Sequence, residues 1–282
     1  MDTDLIDIHT HILPGLDDGA SSLQKAVGMA AIAARDGIKS LVATPHVMRG
    51  AFENNRTDIL KKVQELNLCI KVQNIKLNIL PGAEYYMEDD LPERLSAGQL
   101  LTINDTGRYL LVEFPLSLVP ANAGDIFQGL ISQGVTPIIA HPERNKHILK
   151  NPQVLMRFLN RGVLAQINAG SIRGMYGKDV QECAWRFIMT GAAHFVASDA
   201  HTTHTRAPVL SDIFAEVERR CDYETAMILL CRNPWRVTRG RPVLSTAARV
   251  SDDMSSPKSS PKVGLLPKKL RLPWGQAPST RW

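Results

Sequence analysis

The chain has 282 residues, 44% hydrophobic and 22% charged, which is ordinary for a soluble globular protein and enough for one large domain with a substantial core. Its net charge of +5 is uneven: residues 244–282 carry seven Lys/Arg against two Asp/Glu, leaving residues 1–243 balanced at 26 of each sign. The basic character therefore belongs to the tail and gives no reason to expect nucleic-acid binding by the main domain, and no apolar run reaches the ~18–20 residues of a membrane span.

The first stretch, Leu5-Ile6-Asp7-Ile8-His9-Thr10-His11, alternates apolar and polar side chains and reads as a buried strand. Side chains two apart share a strand face, so both imidazoles point the same way. Asp7 is expected to orient an imidazole or cap the strand end rather than bind metal. No leader of basic then apolar residues precedes this strand, so no signal peptide is expected, and the protein is placed in the cytoplasm. Pro14-Gly15-Leu16-Asp17-Asp18-Gly19 forms a turn with two carboxylates, of which Asp18 is taken as the ligand and Asp17 is the alternative. Ser21 and Gln24 predict a capping box opening a helix to Asp36, stopped by Gly37.

A second strand, 40–44, closes in Thr44-Pro45-His46, and a polar helix follows over 56–68. A third strand, 76–80, ends in Pro81-Gly82-Ala83-Glu84. A fourth, 108–112, ends in Glu113-Phe114-Pro115. A helix over 123–133 leads to strand 136–140 and His141-Pro142-Glu143-Arg144. Helix 153–160, strand 163–167 with Asn168-Ala169-Gly170, and helix 179–190 come next. The last strand, 194–197, ends in Ser198-Asp199-Ala200-His201, and two helices near 208–219 and 223–231 close the domain.

Strands alternating with helices about seven times argue for parallel βαβ units. Almost every strand finishes in His, Glu, Asp or Asn. A closed barrel brings all those ends to one face, whereas an open sheet spreads them along a line. No GxGxxG follows the first strand, so a dinucleotide crevice lacks its fingerprint. The expected fold is an α/β barrel of seven strands over residues 1–243. Residues 244–282, rich in Ser, Pro and Lys, are expected to be a disordered basic tail.

His9, His11, Asp18, His46, Glu84, Glu113, His141, Asp199 and His201 thus form a set of nine nitrogen and oxygen ligands at strand ends or in the loops after them. One divalent ion takes about four to six, so nine imply two or three ions. Imidazoles mixed with carboxylates and no thiolates suit Mn²⁺, with Zn²⁺ or Fe²⁺ as alternatives. His147, His194 and His204 are expected at the surface or behind the ligands. Arg144 and Arg206 lie beside ligands in sequence, where a planar guanidinium suits a phosphate; the plain alternative is that each pairs with a ligand carboxylate. A metal-bridging hydroxide attacking phosphorus in line is the implied chemistry.

A cysteine-nucleophile phosphatase needs Cys, five residues, then Arg. Cys69, Cys183, Cys221 and Cys231 are followed at that distance by Ile75, Met189, Met227 and Val237, so that route is excluded. The four cysteines form no CxxC pair and read as free thiols in a reducing compartment. No GxSxG serine-hydrolase motif occurs either.

His9-Thr10-His11, Asp17-Asp18-Gly19, Thr44-Pro45-His46, Gly82-Ala83-Glu84, Glu113-Phe114-Pro115, His141-Pro142-Glu143-Arg144 and Ser198-Asp199-Ala200-His201 together resemble the polymerase-and-histidinol-phosphatase (PHP) superfamily. Within it they are most similar to the bacterial manganese-dependent protein-tyrosine phosphatases of capsule and exopolysaccharide synthesis. The resemblance covers residues 4 to about 243. It implies a distorted seven-stranded TIM-like barrel and a trinuclear centre built from the nine ligands. It further implies Arg144 and Arg206 as phosphate contacts, with His201 beside them as a catalytic residue. The implied substrate is the phosphotyrosine tail of a membrane-associated bacterial tyrosine kinase. Two departures fall at the substrate rim: Val47 follows the Thr-Pro-His motif where relatives often carry a second histidine, and Ala207-Pro208 follows Arg206 where Pro-Phe-like residues are expected.

A small-molecule phosphatase on the same site, such as one for histidinol phosphate, is the nearest alternative; a lidded pocket would favour it and a shallow rim would favour protein tails. A non-catalytic binding subunit would show degenerate ligands, and none of the nine is lost. An amide hydrolase on a similar barrel would lack the paired arginines. The basic tail is suited to touch an anionic membrane surface, which would place the protein at the inner face of the membrane.

Overall fold

The computed structural model describes residues 4–245. Nine strand segments run in one direction: β1 (Leu5–Thr10), β2 (Ile38–Ala43), β3 (His46–Val47), β4 (Asn78–Pro81), β5 (Glu84–Tyr86), β6 (Tyr109–Glu113), β7 (Thr136–Ala140), β8 (Leu164–Asn168) and β9 (Phe195–Ala197). Every ladder among them is parallel. Two of the seven expected strands are interrupted. Thr44-Pro45 separates β2 from β3, and Gly82-Ala83 separates β4 from β5, so the pieces pair in a three-stranded sheet β1-β2-β4 and a six-stranded sheet β3-β5-β6-β7-β8-β9. The ring closes where β9 runs out beside β1: Asp199 N–H donates to the His9 carbonyl (2.9 Å) and His11 N–H to the Ala200 carbonyl (2.8 Å). The result is a distorted seven-stranded α/β barrel.

The helices α1 (Leu23–Asp36), α2 (Arg56–Val72), α3 (Leu91–Ser96), α4 (Ala123–Ser132), α5 (Lys146–Lys150), α6 (Gln153–Leu159), α7 (Ala169–Ile172), α8 (Lys178–Met189), α9 (Ser211–Arg220), α10 (Tyr223–Met227) and α11 (Asn233–Val237) connect and cover the strands. In α1 the buried residues Ala26, Met29, Ala30 and Ala33 follow the helical repeat that makes one apolar stripe. Its cap is Ser22, whose hydroxyl accepts from Lys25 N–H, so the expected start at Ser21 moves by one residue. Gly37, at φ 95°, closes it with N–H bonds to Ala33 and Ala34. The helix expected over 56–68 continues to Val72, burying Ile59, Val63, Leu66 and Ile70.

Two apolar clusters result. The larger lies between strands and helices and includes Leu41, Leu110, Val112, Ile139 and Ile167. The smaller fills the barrel with Ile6, Ile8, Leu111, Ile138, Leu164 and Phe195, and Val237 of α11 joins it. Strands buried on both faces explain their near-continuous apolar sequences. No described helix is long and apolar enough to cross a membrane. The Ser/Pro/Lys-rich tail expected at 244–282 lies outside the described residues except at its start, where Leu244 exchanges two hydrogen bonds with Asn233.

Candidate metal centre

The first pair of imidazoles is set by an irregularity in β1. Ile6 and Ile8 belong to the cluster inside the barrel, so strict alternation would turn His9 away from it. The pairing with β2 slips by one residue: Asp7 lies opposite Leu41, but Thr10 lies opposite Ala43. This β-bulge swings His9 and His11 back inward, towards Gln166 on the same face of β8 as Leu164. Asp7 is thereby parted from the imidazoles. Its Oδ1 accepts from the backbone N–H groups of His9 (3.3 Å) and Ser198 (3.0 Å), so it caps the strand end and orients no ring. Burial pushes its carboxyl up to about 6.

His9 Nδ1–H donates to Gln166 Oε1 (2.9 Å), and the Gln166 amide is fixed by its own bond to the Ile167 carbonyl (2.8 Å). His11 Nδ1–H donates to Asp17 Oδ2 (2.7 Å). Each ring therefore turns Nε2 to the centre, and the two Nε2 atoms stand 3.2 Å apart. Glu84 Oε2 lies 3.1 and 3.3 Å from them, and Asp199 Oδ1 3.6 and 3.4 Å. Four acceptor atoms so close require a proton or a cation among them. His11 shows this: burial opposes its charged form, yet Asp17, Asp199 and Glu84 raise it well above the ordinary imidazole value.

The interrupted strands deliver the next ligands. His46 opens β3 and Glu84 opens β5, with Glu84 N–H donating to the Pro45 carbonyl (3.0 Å). A Cβ on Gly82 would sit 2.7 Å from Val42 Cγ1, so only glycine lets the chain cross that break. Asp17 Oδ2 also accepts from His46 N–H (3.0 Å) and thus ties His11 to β3. The two aspartates face differently: Asp17 faces protein donors, while Asp18, half exposed, brings Oδ1 to 3.2 Å from His201 Nε2 and 3.8 Å from His46 Nε2. Its hydrogen bond with His201, followed by burial acting the other way, leaves its carboxyl at about 2.

Three overlapping groups emerge among the described residues: His11, Asp18, His46 and His201; His9, His11 and Glu84; and His46, Glu84 and Glu113. Within each, one ligand atom per residue lies within 4.8 Å of the others. His141 adjoins them with Nε2 3.2 Å from Glu84 Oε1 and 3.7 Å from Glu113 Oε1. Asp199 adjoins them through Oδ1, which is also 3.5 Å from His201 Nδ1. The fold therefore brings all nine expected side chains together. His46 Nδ1 and Glu84 Oε2 are buried without a hydrogen-bond partner, and burial followed by Glu84 raises the Glu113 carboxyl far above its ordinary range. Such a set of buried nitrogen and oxygen donors fits divalent cations shared between overlapping sites. His141 and Asp199 also hold left-handed backbone, φ 29° and 51°, a strained conformation for residues with a Cβ that the surrounding contacts must sustain.

Asp199 faces two ways. Oδ1 joins the imidazoles, while Oδ2 receives Arg144 Nη1 (3.0 Å), Arg206 Nη2 (2.7 Å) and Asn168 Nδ2 (2.5 Å). The arginines thus stand at the rim of the cluster, paired with a carboxylate. The guanidinium of Arg144 lies over the Tyr176 ring at 4.3 Å. Behind it, buried Glu143 Oε1 accepts from Ser171 Oγ (2.6 Å) and Asn168 N–H (2.9 Å), locking the loop after β7 to the end of β8. Sequence reasoning missed Asp17 as a tether, Gln166, Asn168, Glu143 and Tyr176. Gln166 and Asn168 were visible as polar residues two apart at the end of an apolar strand. His147 and His204 are exposed, and His194 Nδ1 accepts from Ala165 N–H away from the cluster. Cys183 is buried and its thiol pushed up to about 12 by that burial, consistent with no thiolate chemistry.

A family model described as capsular polysaccharide synthesis, CpsB/CapC, matches residues 5–239. The chain belongs to the CpsB/CapC family. Among relatives of this CpsB/CapC chain, the tyrosine-protein phosphatase YwqE of Bacillus subtilis is 40% identical over 202 residues, 72% of this chain and 79% of that protein. The tyrosine-protein phosphatase CpsB of Streptococcus pneumoniae is 28% identical over 238 residues, 83% and 98%. A chain from the crystal structures of YwqE and CpsB, described as unique metal-dependent tyrosine phosphatases, superposes with TM-score 0.83 at 35% identity, covering 86% of this chain and 98% of that one. A lactonase from Listeria monocytogenes superposes with TM-score 0.52 at 14% identity, covering 86% and 96%, a likeness of fold alone.

Proposed function

We propose that this chain is a metal-dependent protein-tyrosine phosphatase of capsular or exopolysaccharide synthesis, whose substrate is the phosphotyrosine tail of a membrane-associated tyrosine kinase. The observation that carries the reading is the meeting of Arg144 and Arg206 on Asp199 Oδ2 while Oδ1 of the same carboxylate faces the imidazoles. A phosphate placed there meets two guanidinium groups on one side and the ligand cluster on the other.

His9, His11, Asp18, His46, Glu84, Glu113, His141, Asp199 and His201 would hold the ions, Mn²⁺ by preference for a carboxylate-rich set and Zn²⁺ or Fe²⁺ as alternatives. When bound, the ions supply Lewis acidity and an activated water. The chain's own residues do the rest. Arg144 and Arg206 donate to the non-bridging phosphate oxygens, gathering charge that a carboxylate alone would repel. As they turn to the phosphate, Asn168 Nδ2 continues to hold Asp199 Oδ2. The Tyr176 ring supports the Arg144 guanidinium from below. The tyrosyl leaving group has a pKa near ~10, so no strong general acid is required. Arg206 and Asp18 are partly open to solvent, which suits a residue presented by a polypeptide.

The test is hydrolysis of a phosphotyrosine peptide by metal-stripped protein with Mn²⁺ restored, beside His141→Ala, Arg206→Ala and the substrate histidinol phosphate. Metal-dependent turnover of the peptide that falls in both variants is the expected result. Turnover of histidinol phosphate instead would transfer the assignment to the small-molecule reading.

A further inference from the structure

Past Arg144 the surface continues as a cleft between α5 and the start of α8. Its near part has a volume of about 590 Å³ and is lined by Arg144, Lys146, Leu149, Tyr176, Lys178 and Asp179 among others. A second hollow of about 460 Å³ shares Lys146, Leu149 and Asp179 with it and extends it along α8 to Lys150 and Arg186. These volumes are of the size that holds a ligand of several groups. The Tyr176 ring is at once a wall of the near hollow and the platform under the Arg144 guanidinium. A group held by that guanidinium therefore lies at the edge of the cleft.

The charges say what fits. The near hollow sets three cations, Arg144, Lys146 and Lys178, against the single carboxylate of Asp179. Lys146 is exposed and makes no ion pair among the described residues. Among the described residues Lys178 pairs only with Glu182, at 3.5 Å, with both side chains mostly in solvent, so it swings free at little cost. Leu149, Tyr176 and Val180 supply apolar surface for the stem of a side chain.

We infer that this cleft seats the residues beside the phosphotyrosine in the polypeptide substrate and selects an acidic side chain there, with Lys146 and Lys178 as the cations that read it. The inference rests on the phosphatase reading above and adds the sequence preference. The far hollow sets Glu182 as well as Asp179 against its cations, so the excess of positive charge is greatest beside Arg144 and places the preference there.

The experiment uses the full-length Mn²⁺-loaded protein and three phosphotyrosine peptides: one with glutamates before the phosphotyrosine, one with glutamates after it, and one with glutamines throughout. p-Nitrophenyl phosphate, too short to reach the cleft, monitors the phosphatase centre separately. Wild type is expected to favour one acidic peptide over the glutamine peptide in kcat/KM by roughly 3- to 10-fold, the size of one or two exposed ion pairs. That ratio should shrink with added salt and fall towards one in Lys146→Gln/Lys178→Gln. Equal kcat/KM on all three peptides, or a preference that survives the double substitution, overturns the inference while p-nitrophenyl phosphate turnover keeps the phosphatase reading intact. No turnover of any substrate overturns both.

Discussion

The Nε2 atoms of His9 and His11 stand 3.2 Å apart, each ring anchored from behind by an acceptor on Nδ1, Gln166 for one and Asp17 for the other. Two lone pairs directed at one point with Glu84 and Asp199 beside them cannot be left empty. A proton satisfies the centre poorly and a divalent ion satisfies it well.

Metal loading should therefore stabilise the protein and release protons. At an ion concentration near one hundred times Kd, about 2.7 kcal/mol is expected, which for a domain of this size is roughly 5–10 °C in Tm. Because Asp17, Asp199 and Glu84 raise His11 above its ordinary value, they favour the protonated ring, and the ion must compete with that proton. Affinity should rise with pH, about tenfold per unit for each proton released. Calorimetric titration of the stripped protein in buffers of different ionisation enthalpy measures the release directly; a pH-independent affinity would contradict it.

Arg206 offers a guanidinium beside Arg144, which itself lies over the Tyr176 ring. Arg206→Lys keeps the charge and loses the planar fork, so it should recover little of the activity lost in Arg206→Ala. Both are expected to reduce kcat/KM on a phosphotyrosine peptide by about 100-fold, with metal content unchanged. Full rescue by lysine would show that only net charge counts at this rim.

Glu143 is wholly buried, with Oε2 lacking a partner and burial pushing its carboxyl up to about 7. A carboxyl raised in the folded state costs nothing while protonated and opposes folding once ionised. Its contribution is complete below the ordinary value near 4.5 and is lost as pH rises through about 7. In the metal-stripped protein, Glu143→Gln should therefore gain stability relative to wild type between pH 5 and 8, by on the order of 3 kcal/mol. Denaturant midpoints at the two pH values test this, and a constant difference would remove Glu143 as the titrating group.

Gly19 approaches the His11 carbonyl so closely that an added Cβ would sit 2.0 Å from that oxygen and 2.5 Å from His11 Cβ. Gly19 N–H also donates to Asp17 Oδ1 (2.9 Å). Gly19→Ala must push the loop away and with it the tether on His11. A stability loss of about 1–3 kcal/mol and a 10- to 100-fold loss of metal affinity are expected. Normal affinity in the variant would mean that Asp17 is dispensable for orienting His11.

The sequence by itself determined the seven-strand α/β alternation, because buried parallel strands and their covering helices impose different periods on the chain. It also determined that His, Glu and Asp cluster at strand ends, since each motif sits beside its apolar run. What alternation could not show was the bulge in β1 that parts Asp7 from the two imidazoles, where β1 pairs with β2 on one side and meets Asp199 and Ala200 on the other. Nor could it show the resumption of strands at His46 and Glu84, which depends on the close crossing of Gly82 over Val42. The different surroundings of Asp17 and Asp18, and the meeting of both arginines on Asp199, likewise appear only in three dimensions. Hydrogen-bond partners such as Gln166 and His9, 157 residues apart in the chain, are fixed by barrel closure, and no local pattern encodes which side chain will stand behind which.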